Sequence, residues 1–195
     1  MKTLIKAFYV HRAPVIWRPI SDKFIFSVFL TIFFLFATEI RAANKTYQSP
    51  KEFLLGVFEG DLPKAKVLWL DADLRRVLKK VTGSRYPGVR IRFWKRSKRT
   101  AWILEEIGKY EPITVGVAVD DRRIERLKVL IYRESHGWEV RHEFFTNQFK
   151  NLSLNSDYSI SRTIDGISGA TLSVNALKSV ARVALLLHDR AVEIE

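Results

Sequence analysis

The spacing of apolar positions changes along the chain, and each change marks an element. From Phe24 to Ala37 the run FIFSVFLTIFFLFA carries no charge. As a helix, its fourteen residues would cover about 21 Å, short of a typical bilayer core of ~30 Å. Extending it from Ile20 to Ile40 brings Asp22, Lys23 and Glu39 into its ends. The run is apolar all round rather than one-faced, which favours an N-terminal apolar helix acting as an export signal or short membrane anchor over a buried core helix. Lys2, Lys6, Arg12, Arg18 and Lys23 lie on its N-terminal side or beside it. That bias puts the N-terminus in the cytoplasm and the rest outside, on the periplasmic or other extracytoplasmic face. Arg41-Ala42-Ala43-Asn44 offers small residues for cleavage without an Ala-x-Ala, and the long leading region favours the uncleaved anchor. Residues 1–43 form this first segment.

Ser49-Pro50-Lys51-Glu52 reads as a helix start, with a serine cap, proline in the first turn and Glu52 closing a capping box. Asp61-Leu62-Pro63 opens a second helix, in which Val67, Leu68, Leu70, Leu74, Val77, Leu78 and Val81 recur at helical spacing and Gly83 is the stop. Lys66, Asp73, Arg76, Lys79 and Lys80 take its opposite, solvated face. Residues 44–84 thus read as a helical N-terminal extension to a domain over 85–190. Over Val89–Trp94 apolar and basic side chains alternate with a period of two, and Ile113–Val119 is strongly β-forming. Val89–Trp94, Thr100–Ile107, Ile113–Val119 and Ile124–Tyr132 read as strands, the last two joined at Asp120–Arg123 as the centre of an antiparallel sheet. After a polar connector at Asn151–Asp157, Leu172, Leu177, Val180, Ala181, Ala184, Leu185 and Leu187 describe a helix over Ser173–His188. The expected class is α+β: a largely antiparallel sheet with packed helices, preceded by the apolar helix.

Charge and composition narrow the chemistry. The 195 residues carry a formal charge of +12 and contain no cysteine. Disulfides, thiol catalysis and thioether haem attachment are therefore excluded, while the compartment stays open. Arg90, Arg92, Lys95, Arg96, Lys98 and Arg99 form the densest positive cluster, beside Phe93, Trp94 and Trp102. A charged hairpin over a core explains it better than a nucleic-acid surface; lipid headgroups or an acidic redox partner are the other readings. His11, His136, His142 and His188 lack metal-site spacing; His188 is read as a cation suited to the end of the last helix. Asn44-Lys45-Thr46 and Asn151-Leu152-Ser153 match glycosylation sequences, which act only in a glycosylating exterior.

One stretch does not reduce to packing. Asp165-Gly166-Ile167-Ser168-Gly169-Ala170-Thr171 lies between a polar run and the last helix. Its glycines permit a tight turn or close approach to a ligand. Ser173 or Asn175 is available as the helix cap. The Thr171 hydroxyl then stands near a helix N-terminus, where unpaired N–H groups and the dipole attract anions such as phosphate. A capped loop without ligand has the same geometry.

This stretch, DGISGAT, resembles the flavinylation sequence of the extracytoplasmic FMN-binding domains, among them the small flavin subunits of the Na+-pumping NADH:quinone oxidoreductase and Rnf complexes. The resemblance spans roughly residues 80–189. It implies that a Mg2+-dependent FAD:protein FMN transferase joins the FMN phosphate to Thr171, with Asp165, Ser168, Gly169 and Ala170 completing the motif. The family's Tyr/His-x-Glu-Thr/Ser segment and following glycine are similar to Tyr132-Arg133-Glu134-Ser135-His136-Gly137, which implies cofactor-site roles for Glu134 and Ser135; His136 stands where proline is frequent. Gln148 and Phe149 resemble its recurrent Gln-Phe. The implied function is an exported, membrane-associated electron-transfer flavoprotein working beside a membrane reductase or quinone-linked protein. A recognisable GxGxxG is absent, so a carrier subunit is expected rather than a standalone enzyme. The alternative is a non-flavinylated binding or assembly module of a membrane redox complex.

Overall fold

Alternating side chains in the middle of the chain build a six-stranded sheet. The computed structural model describes residues 45–193 except 84, 85 and 87; the apolar N-terminal run lies outside the described residues. The strands are β1 (Lys45–Thr46), β2 (Lys66–Trp69), β3 (Arg90–Arg96), β4 (Arg99–Ile107), β5 (Pro112–Asp120) and β6 (Arg123–Tyr132). Their order across the sheet is β1-β6-β5-β4-β3-β2, and every neighbouring pair is antiparallel. The β5–β6 hairpin turns at Asp121 and Arg122, both with positive φ, as a tight hairpin connection requires.

Four helices pack on this sheet: α1 (Pro50–Val57), α2 (Ala72–Thr82), the single turn α3 (Glu143–Thr146) between two 3₁₀ turns, and α4 (Thr171–Val192). In α1 the capping box forms as read: the Glu52 amide donates to Ser49 Oγ at 3.2 Å, and the Ser49 amide donates to Glu52 Oε2 at 2.8 Å. The helix expected from Asp61 is corrected. Lys66–Trp69 is an edge strand, and the helix begins only at Ala72, after Asp71 caps the Leu74 amide at 2.7 Å. Val67 and Trp69 face out while Leu68 is buried, which is strand alternation. Only Leu74, Leu78 and Val81 of the supposed stripe are buried helical positions. Gly83 ends α2 in the left-handed conformation, as expected.

The sheet has a core on each face. On one, Ile91, Phe93, Trp102, Leu104, Val115, Val117 and Val129 meet α2, the α3 region and α4. On the other, Ala101, Ala118 and Leu130 meet Phe53, Leu54, Val57 and Phe58. Gly116 lets α1 approach: a Cβ there would lie 2.7 Å from the Phe53 ring. Helix α4 is the spine of the larger core, with 14 of its 22 residues buried. No helix among the described residues is long and apolar enough to cross a membrane.

His188 departs from its expected role as a charge at the helix end. It is buried, with Nδ1 2.8 Å from Thr100 Oγ1 and Nε2 accepting the Arg122 amide at 3.2 Å. An accepting Nε2 places the proton on Nδ1, which donates to Thr100 Oγ1. That oxygen also accepts the Trp102 indole N–H at 2.9 Å. Burial pushes the imidazole pKa below its usual 6.5, so the ring works as a neutral connector.

Candidate functional site

The sheet presents the start of α4 to two neighbouring loops. Gly137 packs against it with φ 83°; a Cβ there would lie 2.9 Å from Ser173 Oγ, 3.0 Å from the Tyr132 hydroxyl and 3.3 Å from Ala170 Cβ. The buried Tyr132 hydroxyl is 2.8 Å from Ser173 Oγ and donates to the His136 carbonyl at 2.5 Å. With its proton given to that carbonyl, the phenol oxygen accepts from Ser173. This pair fixes the 134–137 loop to the first turn of α4. Ser173 is therefore a buried tie and not the helix cap expected of it.

The cap position falls to Ala170, and no side chain caps α4. Alanine is among the poor capping residues. Helices α1 and α2 both have side-chain caps, yet the longest helix among the described residues leaves its first turn open at Asp165–Thr171. The N–H groups of Thr171, Leu172 and Ser173 have no intrahelical acceptor. Thr171 is the first helical residue and is exposed, as are Ser168 and Gly169 before it. Gly169 takes φ 80°, a turn that suits glycine. The Asp165 amide donates to Gln148 Oε1 at 2.8 Å, which holds the far end of the loop.

The opposite wall is organised by Glu134. Its Oε1 accepts the amides of Lys109, Tyr110 (2.6 Å) and Glu111 (3.0 Å). Burial raises the carboxyl pKa, but the three N–H bonds and Lys109 outweigh it, and the group is held below the usual carboxylate range. Gly108 makes room, since a Cβ there would sit 2.8 Å from Glu134 Oε1. The result is a fixed turn carrying Tyr110, 73% exposed, with the Lys109 ammonium 4.8 Å from its ring centre.

Between these walls lies a cleft of about 400 Å³, lined by Lys109, Tyr110, Glu134, Ser135 and His136 on one side and by Gly169 to Ser173 on the other. Ser135 Oγ and His136 Nδ1 are 2.8 Å apart. Of the residues named from sequence, Glu134, Ser135, Gly169, Ala170 and Thr171 meet here; Asp165 and Ser168 belong to the same loop but do not line the cleft. Phe149 is core, and Arg162 is engaged with the Gln148 and Lys150 carbonyls. Sequence reasoning missed Lys109 and Tyr110, which lie in the connection between the strands read at Thr100–Ile107 and Ile113–Val119. The available signal was an aromatic residue between charged neighbours in a glycine-started turn.

An open cleft walled by an exposed aromatic ring, a lysine and an uncapped helix start has the chemistry to suit a planar anionic ligand. Residues 108–186 match the family model of the FMN-binding domain, and an FMN-binding domain is present over that range. No curated protein matches the chain. The residues present fit FMN: open amides and Lys109 for the phosphate charge, an exposed hydroxyl at Thr171, and the face of Tyr110 for a ring.

Proposed function

We propose that the chain is an exported, membrane-associated electron carrier that holds FMN through a phosphoester at Thr171. The observation that carries this reading is the exposed Thr171 hydroxyl at the first position of an uncapped 22-residue helix. In maturation, an FAD:protein FMN transferase breaks the phosphoanhydride of FAD. The Thr171 oxygen takes the FMN phosphate, loses its proton, and AMP departs. Thr171 is acceptor and not catalyst. The open amides of α4 stabilise the phosphate charge. Glu134 fixes the turn that presents Lys109 and Tyr110, and the Tyr132–Ser173 pair keeps the loop and helix in register. When bound, FMN supplies one- and two-electron exchange, while the protein contributes attachment, orientation and electrostatics. A covalent bond prevents loss of the cofactor outside the cytoplasmic membrane. The redox partner is a membrane reductase or quinone-linked protein, which fits a carrier with an open cleft.

Co-expression with an active transferase tests the covalent link: flavin fluorescence should persist with the band in a denaturing gel. A dark band would favour the non-flavinylated binding or assembly module. Location is tested by a reporter fused after Glu195, expected to be active only outside the cytoplasmic membrane; a cytoplasmic signal overturns the export reading.

A further inference from the structure

The two faces of the sheet differ in cover. Helices α2 and α4 pack on one; on the other the eight-residue α1 packs over β4 and β5. The β2–β3 end of that second face stays open. There the register pairs Val67 with Arg92 and Trp69 with Arg90, so all four side chains stand on the open face. Val67, Arg90, Arg92, Trp94 and Ile103, with Pro50 of α1, line a groove of about 500 Å³. Trp69 beside it is 64% exposed, with the Arg90 guanidinium 5.8 Å from its ring centre. No carboxylate lines the groove. Elsewhere on the sheet Arg96 meets Asp61, Arg99 meets Asp120 and Glu125, and Arg133 meets Glu105. Neither Arg90 nor Arg92 forms an ion pair among the described residues.

We propose that this open face docks on anionic phospholipid, with Arg90 and Arg92 on the phosphates and Trp69, Val67 and Trp94 at the apolar boundary. Apolar walls with uncompensated cations match a molecule that is anionic at one end and apolar beyond it. Tryptophan and arginine are side chains that place an apolar body and a polar tip across a bilayer interface. The proposal rests on the membrane association argued above for one element only: a tethered domain meets lipid at high effective concentration, so a small patch suffices. An acidic protein would satisfy the arginines and leave the apolar walls without a match.

The full chain, carrying Trp17→Phe and Trp94→Phe so that Trp69 is the reporter on this face, is mixed with vesicles of phosphatidylglycerol or phosphatidylcholine brominated along the acyl chains, and tryptophan quenching is read. Quenching should be strong in phosphatidylglycerol, weak in phosphatidylcholine, and largely lost in Trp69→Phe. Arg90→Gln with Arg92→Gln should lower the docked-to-undocked ratio by about thirtyfold. Equal quenching in the two lipids, or unchanged quenching in Trp69→Phe, overturns the proposal. So does cross-linking from position 69 to an acidic protein without lipid contact. Co-sedimentation with phosphatidylcholine reports the N-terminal run independently. If co-sedimentation fails while Trp69 quenching persists in phosphatidylglycerol, the anchor falls and the docking face stands; a chain that co-sediments with Trp69 unquenched gives the reverse.

Discussion

Glu134 illustrates how much one side chain organises. Its position two residues after β6 reads equally as an edge carboxylate or a cofactor contact. The structure gives it three amide donors from a turn more than twenty residues away in sequence. Glu134→Ala should destabilise the fold by about 1–3 kcal/mol, since three donors lose a charged acceptor, and should loosen Tyr110; urea unfolding and hydrogen exchange at Lys109–Glu111 check both. Because the folded pKa lies below the ordinary one, this contribution is present above the normal carboxylate range and lost as pH falls through the folded value. His188 has the same sign. Its folded pKa lies below 6.5, so the unfolded chain protonates first, and the stabilisation is full above about pH 6.5 and declines as pH falls below it. Thermal melts from about pH 7.5 to about pH 5.5 should drop more steeply for wild type than for His188→Gln; parallel curves would contradict a neutral buried connector.

At the scale of elements, Val89–Trp94 and the last helix were legible from their periods, and the central strands from their β-branched content. Ile113–Val119 is rich in β-branched residues and too short for a buried helix, so it reads as a strand buried on both faces, and the structure extends it by two residues. Val67–Leu70 was misread because four apolar residues fit either period, and only the Asp71 cap separates strand from helix. Caps at Ser49 and Gly83 depend on local chemistry and so could be read; the Tyr132–Ser173 contact joins residues 41 apart and could not. Gly137 shows what such long-range contacts demand. Gly137→Ala meets Ser173 and Tyr132 at a positive φ, and should cost about 1–3 kcal/mol while displacing the cleft wall. Gly116→Ala, directed at the Phe53 ring, should destabilise by a similar amount without altering the cleft. Comparing the two by chemical denaturation and by the extent of FMN incorporation on co-expression with the transferase separates site from scaffold.

For the whole molecule, the glycine-rich loop, the helix after it and the carboxylate at 134 converge on one cleft although 30 residues separate Glu134 from the loop. The motif named the loop, but not the opposite wall at Lys109 and Tyr110, because that wall is the β4–β5 turn, which the sheet sets against Glu134 just beyond the end of β6. Thr171 is the residue on which the functional account depends. Peptide mass mapping of protein co-expressed with an active transferase tests it most directly. The Asp165–Ala176 segment of the wild type should gain the mass of one FMN less water, with the modification on Thr171. Thr171→Ala should fold, as judged by circular dichroism, and carry no covalent flavin, because it lacks the bonding oxygen while keeping the amides of α4. Thr171→Ser should keep some modification, and Ser168→Ala should keep the attachment site. An unmodified wild-type segment, or a folded Thr171→Ala protein with FMN on Ser168 or Ser173, would contradict the account.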